Sequence, residues 1–263
     1  MIPKKLHYIW LGHRKLTPEA KHFIKTWKEH MPDYEIKCWN ESSFDCDSIP
    51  WVKQAIEKEM WAFAADYIRL YALYTEGGIY MDTDVEVRRS FDSFLQYSFF
   101  SSNEIFPEMA EKNLSLLDEN YQPKTPGTAI HGFGILSAIM GAEPGNALVK
   151  DCMKYYYHRD FVNKDGSLNV IVIIPDVIGI EAVKYGFRYI NETQYLDNQI
   201  AIFHSSVFAG NLNDVKDGTY AIHYGEGSWR KHWWPRRKKL WYWLKPVHFT
   251  FSDFVELFNN TRK

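Results

Sequence analysis

Cysteine is scarce in this 263-residue chain. Cys38, Cys46 and Cys152 are an odd number with no CxxC pair, which excludes a disulfide framework or a zinc ribbon and predicts three reduced thiols. Long apolar runs are missing too. The best stretch, residues 170–174, ends at Pro175, far short of the ~18 residues that a membrane-crossing helix needs. The opening residues lead straight into Leu6-His-Tyr-Ile-Trp-Leu11, with neither the apolar core nor the small-residue cleavage site of a signal peptide, so a cytoplasmic chain is expected. Neither a GxxxxGK[ST] nor a GxGxxG pattern occurs, which excludes P-loop and dinucleotide-fingerprint readings. No internal repeat or low-complexity linker interrupts residues 1–225. A chain of this length buries about 70–75% of its unfolded surface and needs no covalent staple.

Net charge is also nearly absent, at −2, but its distribution is uneven. Between Trp229 and Lys245 lie Arg230, Lys231, Arg236, Arg237, Lys238, Lys239 and Lys245 and no acid, so the rest of the chain is net acidic. Five of the ten tryptophans fall in this same stretch, and aromatic residues make up 17% of the chain, a high share. A basic, indole-rich segment suits an anionic bilayer surface, with Trp233, Trp234, Trp241 and Trp243 at headgroup level and Arg236, Arg237, Lys238 and Lys239 facing the charge. A docked helix with a solvated charged face is the plainer reading, and a single-stranded nucleic-acid groove is a third. The membrane surface is the expectation carried forward, with no nucleic-acid partner.

Periodicity predicts alternating strands and helices. A strand over residues 6–11 precedes a helix over Pro18–His30, with Thr17 as its cap and proline in the first turn. A strand over Glu35–Trp39 is followed by a long helix over 61–75 that Gly77-Gly78 ends. Short strands follow at 79–82, 85–87 and 99–101. A glycine-interrupted strand at 133–137, helices at 146–157 and 176–184, and a strand at 220–224 complete the pattern. Such alternation indicates an α/β fold with a mostly parallel sheet. The division expected is one domain over 1–228 and a C-terminal helical extension over 229–263.

Chemistry concentrates in Asp66-Tyr-Ile-Arg69 and Gly77-Gly-Ile-Tyr-Met-Asp82-Thr-Asp84. An Asp-x-Asp by itself is weak evidence and commonly a polar turn. Here it ends a buried apolar strand, which places both carboxylates at the carboxyl edge of a sheet, where open α/β sheets bind ligands. Two carboxylates so close repel unless a cation joins them. Hard divalent ions such as Mg²⁺ and Mn²⁺ take oxygen ligands and share them with a diphosphate. Asp66 and Arg69 stand three apart on the preceding helix and so project from one face, an acid for sugar hydroxyls beside a fixed cation for phosphate; an ordinary surface ion pair is the bland alternative.

Four blocks together are recognisable: Ile2-Pro-Lys-Lys-Leu-His-Tyr-Ile-Trp-Leu-Gly12, Ala64-Ala-Asp-Tyr-Ile-Arg69, the Gly77–Asp84 segment, and Ala221-Ile-His-Tyr-Gly-Glu-Gly-Ser-Trp229. Over about residues 1–230 the sequence resembles the DxD-containing bacterial glycosyltransferases, a family with capsular and lipopolysaccharide sugar transferases and, distantly, the clostridial glucosylating toxins. The resemblance implies a GT-A-type, Rossmann-like fold, a nucleotide-sugar donor, a divalent cofactor (Mn²⁺ or Mg²⁺) and transfer with retention. It further implies that Trp10 stacks on the donor base, a core tryptophan beside Tyr8 being the plainer alternative, and that His7 lies in the same donor-binding block, where a satisfied structural histidine is the commoner reading. Asp66 and Arg69 would hold the donor sugar and its phosphate, Tyr80 and Asp82 the ribose, and Ser228 and Trp229 would close over the diphosphate. Asp82, Asp84 and His223 form the implied metal shell, and Asp66, Arg69 and Asp84 the catalytic set.

The function expected is transfer of a hexose, galactose or a related sugar, from a UDP-sugar to a saccharide or polyprenyl-diphosphate-linked saccharide in surface-polysaccharide synthesis. It would take place on the inner face of the cell membrane. Were the reaction to invert instead, Glu226 or Asp176 would be the first candidate bases. Two rival classes are weaker. A haloacid dehalogenase-type phosphohydrolase carries Thr or Val where this chain has Glu86. A non-catalytic sugar-binding module could dispense with Asp66, Arg69, Asp82 and Asp84. The glycine-rich stretch at His131-Gly-Phe-Gly134 matches the family only loosely; there, glycine is expected to permit close backbone approach.

Overall fold

The computed structural model describes residues 1–225. The extension expected at 229–263, with its membrane-facing residues Trp233, Trp234, Arg236, Arg237, Lys238, Lys239, Trp241 and Trp243, lies outside the described residues, as do Glu226, Ser228 and Trp229.

Along the chain run β1 (Lys5–Ile9), α1 (Pro18–His30), β2 (Glu35–Trp39), α2 (Pro50–Glu57), α3 (Trp61–Glu76), β3 (Gly78–Met81), β4 (Val85–Val87), β5 (Phe99–Ile105) and α4 (Pro107–Asn113). After them come β6 (Phe133–Ile135), β7 (Ile139–Ala142), α5 (Ala147–Tyr157), α6 (Ile174–Ala182), β8 (Gln194–Leu196), β9 (Ile200–Phe203), β10 (Phe208–Ala209) and β11 (Ala221–His223). The large sheet has the order β2-β1-β3-β7-β5-β9-β8, with β6 paired to the end of β5. Strands β2, β1, β3, β5 and β9 point one way; β7, β6 and β8 oppose them. The carboxyl ends of β1, β3, β5 and β9 therefore share one edge. A smaller sheet, β10-β11-β4, stands beside it.

Helices α2, α3, α5 and α6 pack in one apolar layer, and α1 with the small sheet belongs to a second. The high aromatic content is absorbed mainly here. Phe91, Phe94, Phe100 and Phe208 form one edge-to-face cluster, and Trp51, Tyr156 and Phe161 another. Truncating such a buried ring typically costs about 3–5 kcal/mol. The three thiols are free.

Local signals set the entry to the site. Thr17 caps α1 as its sequence predicts, accepting from Ala20 N at 3.1 Å. Helix α3 is buried on nearly every side, packed through Ala64, Ala65 and Ala72, so Asp66 and Arg69 are enclosed with it. Gly77 ends it at φ +64°, and a Cβ there would lie 2.5 Å from Pro144 Cδ. Only glycine permits this abrupt passage from α3 into β3.

Candidate active site at the carboxyl edge of the sheet

Strand β3 delivers the two aspartates through a tight turn. Asp82 N donates to Ala138 O at 2.9 Å and Val85 N to Asp82 O at 3.1 Å, so the chain reverses between the carboxylates and enters β4. Trp27 of α1 pins that exit, its indole donating to Val85 O at 2.7 Å. In the small sheet β11 runs antiparallel to β4 with His223 opposite Val85, and Tyr224 N donates to Asp84 O at 3.1 Å. This register brings His223 against the turn. Its Nε2 lies 3.4 Å from Asp84 Oδ1 and 3.8 Å from Asp82 Oδ2. One ligand atom from each of the three residues falls within 4.8 Å of the others.

Arg69 spans the other side. Its guanidinium stands 3.3 Å from Asp66 Oδ1 and 3.3 Å from Asp82 Oδ1, donates to Ser137 O at 3.0 Å, and lies 4.6 Å from the centre of the Tyr80 ring. Its side chain is 5% exposed, so the pair expected to be a surface contact at its blandest is a buried network. Burial pushes the Asp66 carboxyl up to about 7 despite Arg69, with Asp82 adding repulsion. Burial works against the Arg69 charge, but Asp82 and Asp66 more than offset it and hold it cationic.

Two expected donor contacts need correction. His7 is fully buried in β1. Its Nδ1 accepts from the Trp39 indole at 3.0 Å, which leaves Nε2 to donate to Gly77 O at 2.7 Å. Both nitrogens are engaged, so His7 tethers β1, β2 and the end of α3 and cannot reach a donor. Tyr80 is 2% exposed, its ring against Arg69 and its hydroxyl donating to Asp82 Oδ1 at 2.5 Å. It orients the aspartate rather than offering a face to ribose. Trp10 follows β1 at the right edge, half-buried, with its indole N–H donated to Arg14 O at 2.7 Å.

Sequence reasoning passed over Glu104. It is the second-last residue of β5, 9% exposed, and its carboxyl is pushed up to about 7 by burial, with His223 pulling it down and Asp176 and Asp82 pushing it up. Glu104 falls beyond residue 101, where the expected strand ends, and β5 is buried on both faces, so no alternation marks the acid. Asp176, the candidate base, is 3% exposed in the first turn of α6, where it accepts from Ile173 N at 3.3 Å and pairs with His131 Nδ1 at 3.0 Å. That carboxylate is already committed to a helix cap and an imidazole.

Asp66, Asp82, Asp84, Glu104 and Asp176 thus face Arg69, His223 and His131. Burial disfavours the His223 imidazolium, yet Asp84, Asp82 and Glu104 raise it to about 9. Its Nδ1 is sealed and without a hydrogen-bond partner among the described residues. A proton sits where the donor set suits a cation: two carboxylates and one imidazole fit Mn²⁺ or Mg²⁺, the nitrogen favouring Mn²⁺.

Residues 17–100 match the family described as glycosyltransferase sugar-binding region containing DXD motif. Inositol phosphoceramide mannosyltransferase 3 of Schizosaccharomyces pombe is 31% identical over 103 residues, 36% of this chain and 28% of that protein. Subversion of eukaryotic traffic protein A of Legionella pneumophila is 28% identical over 115 residues, 32% of this chain and 17% of that protein. The matched stretches span less than a third of those relatives' length. Among solved structures, the PaToxG glycosyltransferase is 18% identical with a TM-score of 0.49, over 70% of this chain and 69% of that one.

Proposed function

We propose that the protein is a metal-dependent glycosyltransferase that moves a hexose from a nucleotide-sugar to a hydroxyl acceptor. The observation carrying this reading is the convergence of Asp82, Asp84 and His223 within 4.8 Å, with Arg69 bridging Asp82 to Asp66. Asp82, Asp84 and His223 would hold Mn²⁺ or Mg²⁺, which when bound neutralises charge on the departing diphosphate. Arg69 supplies fixed positive charge at the same place, and each such donor is worth about 3–4 kcal/mol when aimed at a developing anion. Asp66, on the far side of Arg69, is set to accept donor-sugar hydroxyls. Tyr80 holds Asp82 in register. Retention requires no protein base, because the departing phosphate can take the acceptor proton; the prior commitment of Asp176 to His131 and Ile173 fits that route.

A UDP-hexose such as UDP-galactose is the donor proposed, and a mannosyl donor is the alternative, since two of the sequence relatives are named as mannosyltransferases. The proposed acceptor is a saccharide, free or lipid-linked, used in surface-polysaccharide synthesis on the inner face of the membrane. The basic, tryptophan-rich residues 229–245 support this placement by composition. Release of nucleoside diphosphate from a panel of UDP- and GDP-sugars, with and without Mn²⁺ or Mg²⁺, tests the reading. Metal-dependent release from one donor supports it, and no release from any would overturn it.

A further inference from the structure

Glu104 is the buried acid that the donor-side chemistry leaves unused. It lies at the carboxyl edge that β5 shares with β3, and it is nine-tenths buried. Among the described residues no hydrogen bond or ion pair reaches its carboxylate. The sealed polar atoms without partners are Asn103 Oδ1, Tyr189 OH and His223 Nδ1. The Glu104 oxygens are not among them and so keep a small contact with solvent. Gly210 leaves space on that side, since a Cβ there would lie 3.4 Å from Glu104 Oε1.

A second element reaches the same place from α6. Glu104 pairs with Gly134 across β5 and β6. A Cβ on Gly134 would come 2.8 Å from Pro175 O, so the missing side chain lets the start of α6 press against β6. The next residue, Asp176, then fixes His131 at 3.0 Å. Asp66 and Arg69 come from α3, whereas Glu104 comes from β5, two strands along from β3, and Asp176 and His131 from α6 and the chain leading into β6.

We propose that Glu104 and His131, the latter oriented by Asp176, form the acceptor side of this site and take a neutral polyol, a sugar or cyclitol ring whose adjacent hydroxyls donate to Glu104. The inference rests on the transferase reading above. A buried carboxylate without partners is costly, and two neighbouring hydroxyls are the ligand that satisfies both its oxygens as charge-assisted bonds. Two carboxylates at this wall disfavour a phosphorylated or acidic ring in the same position.

The test compares transfer with hydrolysis of the donor by water, using wild type, Glu104→Ala, Glu104→Gln and His131→Gln, the best nucleotide-sugar and Mn²⁺. The acceptor probes are methyl hexosides, myo-inositol and hexuronic acids. The expected result is transfer by wild type to a neutral ring in preference to the acids. In Glu104→Ala the ratio of transfer to hydrolysis should fall at least tenfold and the acceptor KM should rise. Glu104→Gln, isosteric and still an acceptor through one oxygen, keeps the comparison available if the alanine variant does not fold. An unchanged ratio in the Glu104 variants, or wild-type transfer to none of the neutral rings, would overturn this subsite while donor hydrolysis left the transferase reading standing. Absence of any metal-dependent hydrolysis would remove the transferase reading itself.

Discussion

His223 Nε2 stands 3.4 Å from Asp84 Oδ1, joining β11 of the small sheet to the turn that leaves β3. The imidazole keeps its proton up to about pH 9 because Asp84, Asp82 and Glu104 outweigh the cost of burying its charge. That folded value exceeds the ordinary histidine value of 6.5. The metal-free fold therefore gains stability from this proton below about pH 6.5 and loses it as pH rises through 9, at up to about 1.4 kcal/mol per pH unit. A bound cation must displace the same proton. Mg²⁺ affinity should rise up to about tenfold per pH unit between 6.5 and 9, with proton release. Calorimetric titration in buffers of different ionisation enthalpy measures both, and pH-independent binding without proton release would show that His223 is not a ligand.

Arg69 answers two carboxylates at once, the buried Asp66 and the partly exposed Asp82. Removing it leaves Asp66 and Asp82 without their shared cation, and breaking a buried pair in this way costs about 3–5 kcal/mol. Arg69→Ala should lower the denaturation midpoint by a corresponding amount. Arg69→Lys should recover only part of it, since an ammonium cannot span two carboxylates and Ser137 O as the guanidinium does. Urea unfolding of the three proteins decides this; equal stability of all three would contradict the network.

Gly134 admits Pro175 O where a Cβ would stand 2.8 Å away. Gly134→Ala should cost about 1–3 kcal/mol through forced backbone movement and shift the His131 ring resonances, because the start of α6 carries Asp176. Thermal unfolding and NMR of the histidine side chains check both effects. Wild-type stability would mean that α6 is not held this closely.

The basic, tryptophan-rich stretch makes a separate prediction from sequence. Co-sedimentation with vesicles should require anionic lipid, and raising salt from 0.1 to 0.5 M should weaken it as screening shortens. Deletion of residues 229–263 should abolish it. Salt-independent binding, or none, would leave this segment without a membrane role.

Much of this arrangement was legible from local signals. Thr17 and Pro18 announced α1, Gly77 and Gly78 the end of α3, and the apolar run before Asp82 the position of both aspartates at a strand end. His7 was open to both a structural and a donor-binding reading, because a histidine beside a tryptophan reads the same whether it faces a ligand or a backbone carbonyl. Only the Gly77 carbonyl and Trp39 indole, contributed by distant segments, distinguish the two. Tyr80 was assigned to ribose for a similar reason, since its contacts with Arg69 and Asp82 depend on how α3 crosses β3. Glu104 and the His131–Asp176 pair were hidden because their meeting depends on the β5–β6 register and the seating of α6. Neither leaves a period in the sequence.

On the proposed function, Asp82, Asp84 and His223 hold a divalent cation for departure of a nucleoside diphosphate. Nucleoside diphosphate release from the preferred nucleotide-sugar should depend on Mn²⁺ or Mg²⁺, vanish with chelator, and return when the ion is restored. In Asp84→Asn, with unfolding behaviour like the wild type, it should fall at least a hundredfold, about 2.7 kcal/mol in barrier. Near-normal release by that variant, or release that persists under chelation, would mean that no cation held by these residues drives the departure.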